Sequence, residues 1–92
     1  MLSPQNIVGP RLRALRREKG LTQAALAARC GILGWDIGEN VVTKIETQVR
    51  CLTDFELLCL AAALRVYPEH LLPSPEKIKC TIASYARKRF VA

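Results

Sequence analysis

Aromatic residues are scarce in this 92-residue chain, which holds one Trp, two Tyr and two Phe. Any core must therefore be built from Leu, Ala, Ile and Val. With abundant Ala, Leu, Arg and Glu beside them, that mix favours helices over strands. Histidine is nearly missing, with His70 alone, and the four cysteines (Cys30, Cys51, Cys59 and Cys80) form no Cys-x-x-Cys pair. Both absences exclude the ligand spacing of a zinc site, and neither a metal nor another cofactor is expected. The thiols read as reduced, most of them packed as small hydrophobes; Cys51 and Cys59, around the fourth helix, leave redox sensing open. No Ser or Cys stands in a recognisable nucleophile motif, and Glu69–His70 has no convergent titratable partners, so no catalytic residue and no enzyme is expected. No apolar run approaches the roughly 18 residues of a membrane span. The start, Met1 to Asn6, lacks the basic and apolar parts of a secretory signal. A cytoplasmic, nucleoid-associated location is the expectation, with no membrane partner.

What is present is one domain's worth of apolar residues, 50% of the chain, enough for a single core and too many for a disordered segment. The net charge of +6 is unevenly placed. Residues 1–20 carry Arg11, Arg13, Arg16, Arg17 and Lys19 against Glu18. Residues 77–92 carry Lys77, Lys79, Arg87, Lys88 and Arg89 against no acid, while the middle is net acidic. Basic ends of this kind suit a polyanion such as nucleic acid; a merely soluble basic surface has the same charge.

Punctuation divides the chain into short helices. The first runs from about Asn6 to Lys19, with Leu12 and Leu15 on one face and Pro10 near its start. Gly20 ends it. Thr22 reads as the N-cap of a second helix, with Leu26, Ala27 and Cys30 on its buried face. Ile32 and Leu33 extend that helix toward a stop at Gly34. After a turn at Trp35–Gly38, a third helix spans about Glu39 to Thr47, its narrow apolar edge formed by Val42 and Ile45. Thr53 and Glu56 form a capping box that opens a strongly apolar fourth helix through Leu57, Leu58, Leu60, Ala61 and Leu64. Pro68 starts a short fifth through Leu72, and Ser74–Pro75 a sixth in which Ile78, Ile82 and Tyr85 share a face. The expectation is an all-α, compact five-helix domain over residues 1–73. Residues 74–92 then form a basic helix or tail, a dimerisation element.

The stretch from Leu12 to Leu72 resembles the Cro/C1-type, lambda-repressor-like helix-turn-helix family, also called the XRE family. The matching residues are Leu12-x-x-Leu15-Arg16, Gly20-Leu21-Thr22-Gln23-x-x-Leu26-Ala27, Val42-x-x-Ile45-Glu46, the Thr53 cap, Leu57-Leu58-x-x-Ala61, Ala63-Leu64-x-Val66 and Glu69-x-Leu71-Leu72. The order of the pieces is specific; any one alone is not. The interval from Ala27 to Ile45 is about four residues longer than the family's, close to one helical turn. A longer second helix, sealed by Trp35, would absorb it.

The resemblance implies sequence-specific binding of double-stranded DNA by a transcriptional regulator, a repressor, whose third helix enters the major groove. It implies base reading by Glu39, Asn40, Thr43, Lys44 and Gln23. Asn40 suits adenine, Lys44 guanine and Glu39 the cytosine amino group. Phosphate contacts are expected from Thr22, Arg13, Arg17, Gln48 and Arg50, with Thr22 also a cap. Arg16 and Glu46 should form an ion pair joining the first and third helices. Apolar positions at helical spacing suggest a homodimer surface at Leu71, Leu72, Ile78, Ile82, Tyr85 and Phe90, or a sixth helix packed on its own domain. The alternative is an antitoxin or protein-interaction module whose tail binds a partner protein.

Overall fold

The computed structural model describes residues 4–90, with side chains through Arg87. Its described residues form five α-helices and two 3-10 turns, with no strand. Helix α1 spans Gly9–Glu18. It begins later than the sequence suggests because the Asn6 side chain stays outside the helix and accepts the Gly9 amide proton at 2.8 Å. Pro10 sits in the first turn, where its missing N–H costs nothing. Gly20 takes φ of +71° just past the end, a left-handed conformation that suits a residue without Cβ.

Helix α2, Gln23–Ile32, is capped by Thr22, whose hydroxyl accepts from the Ala25 amide at 3.0 Å. It ends at Leu33, followed by Gly34 at φ +104°. Trp35 then folds back, half-buried against the core, its amide bonded to the Cys30 carbonyl. Helix α3, Glu39–Glu46, follows at once. Leu33 to Gly38, turning at Trp35, form the connection between α2 and α3.

Helix α4, Asp54–Leu64, starts from the expected capping box of Thr53 and Glu56 and ends at Arg65 in a left-handed conformation. The next element is a single 3-10 turn, Pro68–Leu71, rather than an α-helix. Pro68 starts it, and the His70 ring accepts the Tyr67 amide proton. A second 3-10 turn, Pro75–Lys77, leads into α5, Ile78–Phe90. The fifth α-helix is therefore the C-terminal one.

The core is a single cluster. Leu12 and Leu15 of α1 meet Leu26, Ala27 and Cys30 of α2, Val42 and Ile45 of α3, Leu60, Ala61 and Leu64 of α4, and Leu71. Burying each large aliphatic side chain stabilises by about 1.5–3 kcal/mol, so the four helices hold one another mainly through aliphatic contacts, with Trp35 packed at the edge. Burial also pushes the Cys30 thiol up to about 11, with nearby Cys59 adding to the effect. All four cysteines are free, Cys30 and Cys59 buried, Cys51 and Cys80 exposed. Helix α5 stands off this body. It closes one wall of an apolar cavity of about 520 Å³, whose other walls include Ile7, Leu57 and Leu72.

Among the described residues, one ion pair joins α1 to α3 and another joins the loop after α3 to α4. Arg16 Nε donates to Glu46 Oε2 at 2.6 Å, and Arg16 Nη2 to Glu46 Oε1 at 3.1 Å, both side chains nearly sealed from solvent. Arg50 is bidentate to Glu56 at 3.1 and 3.0 Å, on a more open surface. The hydrogen bond from Arg50 holds the Glu56 carboxyl below the usual carboxylate range; burial opposes it, and the Thr53 amide adds to it.

Two outcomes follow. Glu46→Ala strands the buried Arg16 guanidinium and should lower unfolding free energy by about 3–5 kcal/mol in urea titrations; a loss under about 1 kcal/mol would show the pair to be incidental. Glu56→Gln keeps the capping box but loses the ion pair. A carboxylate with a depressed folded pKa contributes stability that is present above its unfolded pKa and lost as pH falls through the folded one. The difference between parent and Glu56→Gln should therefore be about 0.5–1 kcal/mol at pH 7 and shrink toward zero well below pH ~4. A difference independent of pH would contradict it.

Candidate nucleic-acid interface

Seven of the eight residues of α3 divide by face, and Val41 is half-buried between the two. Val42 and Ile45 are fully buried and Glu46 nearly so, whereas Glu39, Asn40, Thr43 and Lys44 are exposed. Four of the five expected base readers thus lie on one outward surface of α3; the fifth, Gln23, is half-buried on α2. Spacing explains this, since Val42 and Ile45 fix the inner stripe and leave Glu39, Asn40, Thr43 and Lys44 outside. Gly38 leaves the N-terminus of α3 without a side-chain cap.

Gln23, at the start of α2, is braced rather than free. Its Nε2 donates to Glu46 Oε1 at 3.0 Å, and its Oε1 accepts from the Thr43 hydroxyl at 2.7 Å. A continuous network thus runs from Arg16 through Glu46 and Gln23 to Thr43. It links α1 and α2 to the outward face of α3, and it orients the Gln23 amide and the Thr43 hydroxyl in advance of any ligand.

The expected phosphate contacts fare unevenly. Arg13 and Arg17 are exposed on α1 and form no ion pair with any described residue. Thr22 is exposed, but its hydroxyl is already used as the cap of α2. Gln48 turns inward: it adopts φ of +64°, and its Nε2 donates to the Asn6 carbonyl at 2.9 Å. Arg50 is occupied by Glu56, with its guanidinium carbon 5.8 Å from the centre of the Trp35 ring. A phosphate at Arg50 would have to compete with that carboxylate.

The expected dimer surface also divides. Leu71 is 1% exposed, locked in the core by the 3-10 turn, and has no free face to offer a second chain. Leu72, Ile78 and Ile82 are exposed, and Tyr85 is half-buried beside the cavity. The side chain of Phe90 lies outside the described residues. His70 serves the turn, its carbonyl accepting from Arg11 Nε at 3.0 Å. Among the described residues no group of three His, Cys, Asp or Glu is placed to hold a metal ion, and no helix is long and apolar enough to cross a membrane.

One polar residue of this region escaped sequence reasoning. Asn6 is only 7% exposed, and its amide bonds the backbone at both ends of the α1–α3 contact. Its signal was an Asn three residues ahead of a helix start, which reads as a cap but says nothing of a contact 39 residues away.

The comparisons agree with this geometry. A family model described as helix-turn-helix matches residues 12–71. Among solved structures, the chain is 35% identical to the restriction-modification controller protein C.AhdI from Aeromonas hydrophila, covering 71% of this chain and 87% of that one, with a TM-score of 0.64. It is 28% identical to the hypothetical transcription factor NHTF from Neisseria, covering 79% of each chain, with a TM-score of 0.64. No curated protein matches the chain. The exposed face of α3, the network behind it and the match across residues 12–71 place the chain in the helix-turn-helix family, as a DNA-binding transcription regulator of the Cro/C1, XRE type.

Proposed function

We propose that the chain is a repressor that binds double-stranded DNA as a homodimer, reading each half-site with α3 in the major groove. The observation that carries this is the outward face of α3. Asn40 and Lys44 are exposed donors, and Thr43 stands beside them with its hydroxyl bonded to Gln23, on a helix whose opposite edge is fully buried. The major groove admits one helix, and its base edges offer distinct donor and acceptor patterns. Asn40 suits a bidentate pair with adenine and Lys44 a bond to guanine. Glu39 suits a cytosine amino group, and the oriented Gln23–Thr43 pair serves the groove edge. Arg13 and Arg17 add positive charge for phosphates. Repression is the simplest outcome of such binding, because occupying a duplex suffices to block its use. The likeness to a restriction-modification controller supports the narrower reading that the controlled genes are of that kind.

The homodimer reading rests on residues 74–92 together with the adjoining Leu72. Leu72, Ile78 and Ile82 present apolar surface beside the cavity under α5. A dimer related by a two-fold axis would set two reading helices about 34 Å apart, one turn of DNA. The same apolar surface also suits a different partner protein, as in an antitoxin, and the measurements below separate the two.

Duplexes selected from a random library should share a two-fold symmetric motif. Asn40→Ala and Lys44→Ala should each relax selection at one base pair, by about 1–3 kcal/mol, with little change in unfolding free energy. If both variants select the parent's sequences with undiminished strength, α3 is not the reading helix. In sedimentation velocity the parent should run as a dimer, and the double variant Ile78→Glu/Ile82→Glu as a folded monomer with weakened duplex binding. A parent that stays monomeric at tens of micromolar protein, with duplex binding insensitive to salt, would instead favour the partner-protein reading.

A further inference from the structure

We infer that Asn6 is a positioning residue for the reading helix, setting its tilt from the far end. The inference rests on α3 being the element that reads DNA. Asn6 is buried to a degree unusual for its type, and every polar atom of its side chain is used. Oδ1 accepts the Gly9 amide proton at 2.8 Å, closing the N-terminus of α1. Nδ2 donates to the Ile45 carbonyl at 3.0 Å and to the Arg50 carbonyl at 2.9 Å. The Ile45 carbonyl, in the last turn of α3, also accepts from the Gln48 amide at 3.0 Å, so the Asn6 bond adds a second hold there, and one amide group serves the start of α1 and the end of α3 together.

The surrounding backbone leaves this junction no slack. The Gln5 amide donates to the Gln48 carbonyl at 2.8 Å, and the Gln48 side chain returns a bond to the Asn6 carbonyl at 2.9 Å. Gln48 holds a left-handed φ of +64°, uncommon for a residue with a Cβ. Gly9 lies so close to α3 that a Cβ on it would collide with the Ile45 carbonyl oxygen. The C-terminal end of α3 is thus bound on several sides, while its N-terminal end at Gly38 has no side-chain cap. Asn40 lies five residues before Ile45, about 7.5 Å along the axis. A tilt of about 10° at the anchored end would shift Asn40 by roughly 1.3 Å, enough to spoil a bidentate bond. The grip of Asn6 is therefore transmitted to base reading without any contact with DNA.

The probes are a duplex that the parent selects from a random library and a scrambled duplex of the same length. Asn6→Ser can keep the cap, because a Ser hydroxyl accepts an amide proton three residues on, as Thr22 does here. It loses the donors to Ile45 and Arg50. It should stay folded by circular dichroism and bind the selected duplex about tenfold more weakly, with scrambled-duplex affinity and salt slope unchanged. Asn6→Ala should lose at least as much discrimination, at a temperature where it is folded. A purely structural role would lower both affinities together, in proportion to the folded fraction, and would overturn the inference. So would an unchanged ratio of selected to scrambled binding. If the parent itself does not discriminate between duplexes, the reading of α3 falls and takes this inference with it.

Discussion

Three helices converge on one carboxylate. Glu46, at the end of α3, accepts from Arg16 of α1 through both oxygens and from Gln23 of α2 through one, while Arg16 also donates to the Leu21 carbonyl at 2.8 Å. Taking two charges out of water is costly, and such a pair contributes little net stability against an apolar replacement. It persists without penalty only because it is fully bonded: among the described residues, no buried side-chain nitrogen or oxygen is left without a partner. What the arrangement supplies is angle. Aliphatic contacts among Leu12, Leu26, Val42 and Ile45 are non-directional, and many helix crossings would bury them. The observed crossing brings Arg16, Gln23 and Glu46 together at hydrogen-bond distance, a directional constraint that the aliphatic contacts lack.

The same network accounts for the chemistry at the surface. Its outer member is Thr43, whose hydroxyl bonds Gln23 and stands on the exposed face of α3. Polar groups meant for a ligand usually wait on water and lose side-chain freedom when the ligand arrives. Here part of that ordering is done during folding. The interior electrostatics and the exposed donors form one continuous structure, so the fold and the site cannot be altered independently around Glu46.

Much of this was legible from the chain alone, because it depends on short-range pattern. The spacing of Val42 and Ile45 determined which side of α3 faces out. The Thr22 cap and the Thr53–Glu56 box marked two helix starts, and family resemblance pointed to the Arg16–Glu46 pair. What stayed hidden depends on contacts distant in sequence or on backbone that no local rule demands. Asn6 read as the start of a helix, yet it bridges to Ile45 and Arg50. Gln48 and Arg50 read as surface cations and amides just past α3, yet the turn there sends one to Asn6 and the other to Glu56. Leu71 carried an apolar label fit for either a core or an interface. A single 3-10 turn after Pro68 decided for the core.

The corner that absorbs the longer connection between α2 and α3 has a practical side. Trp35 is the chain's sole tryptophan, and the Arg50 cation lies over its indole ring. Indole emission responds to nearby charge and to solvent access. The protein therefore carries an optical gauge at the corner between α2 and α3, one that needs no label to report on the surroundings of that corner.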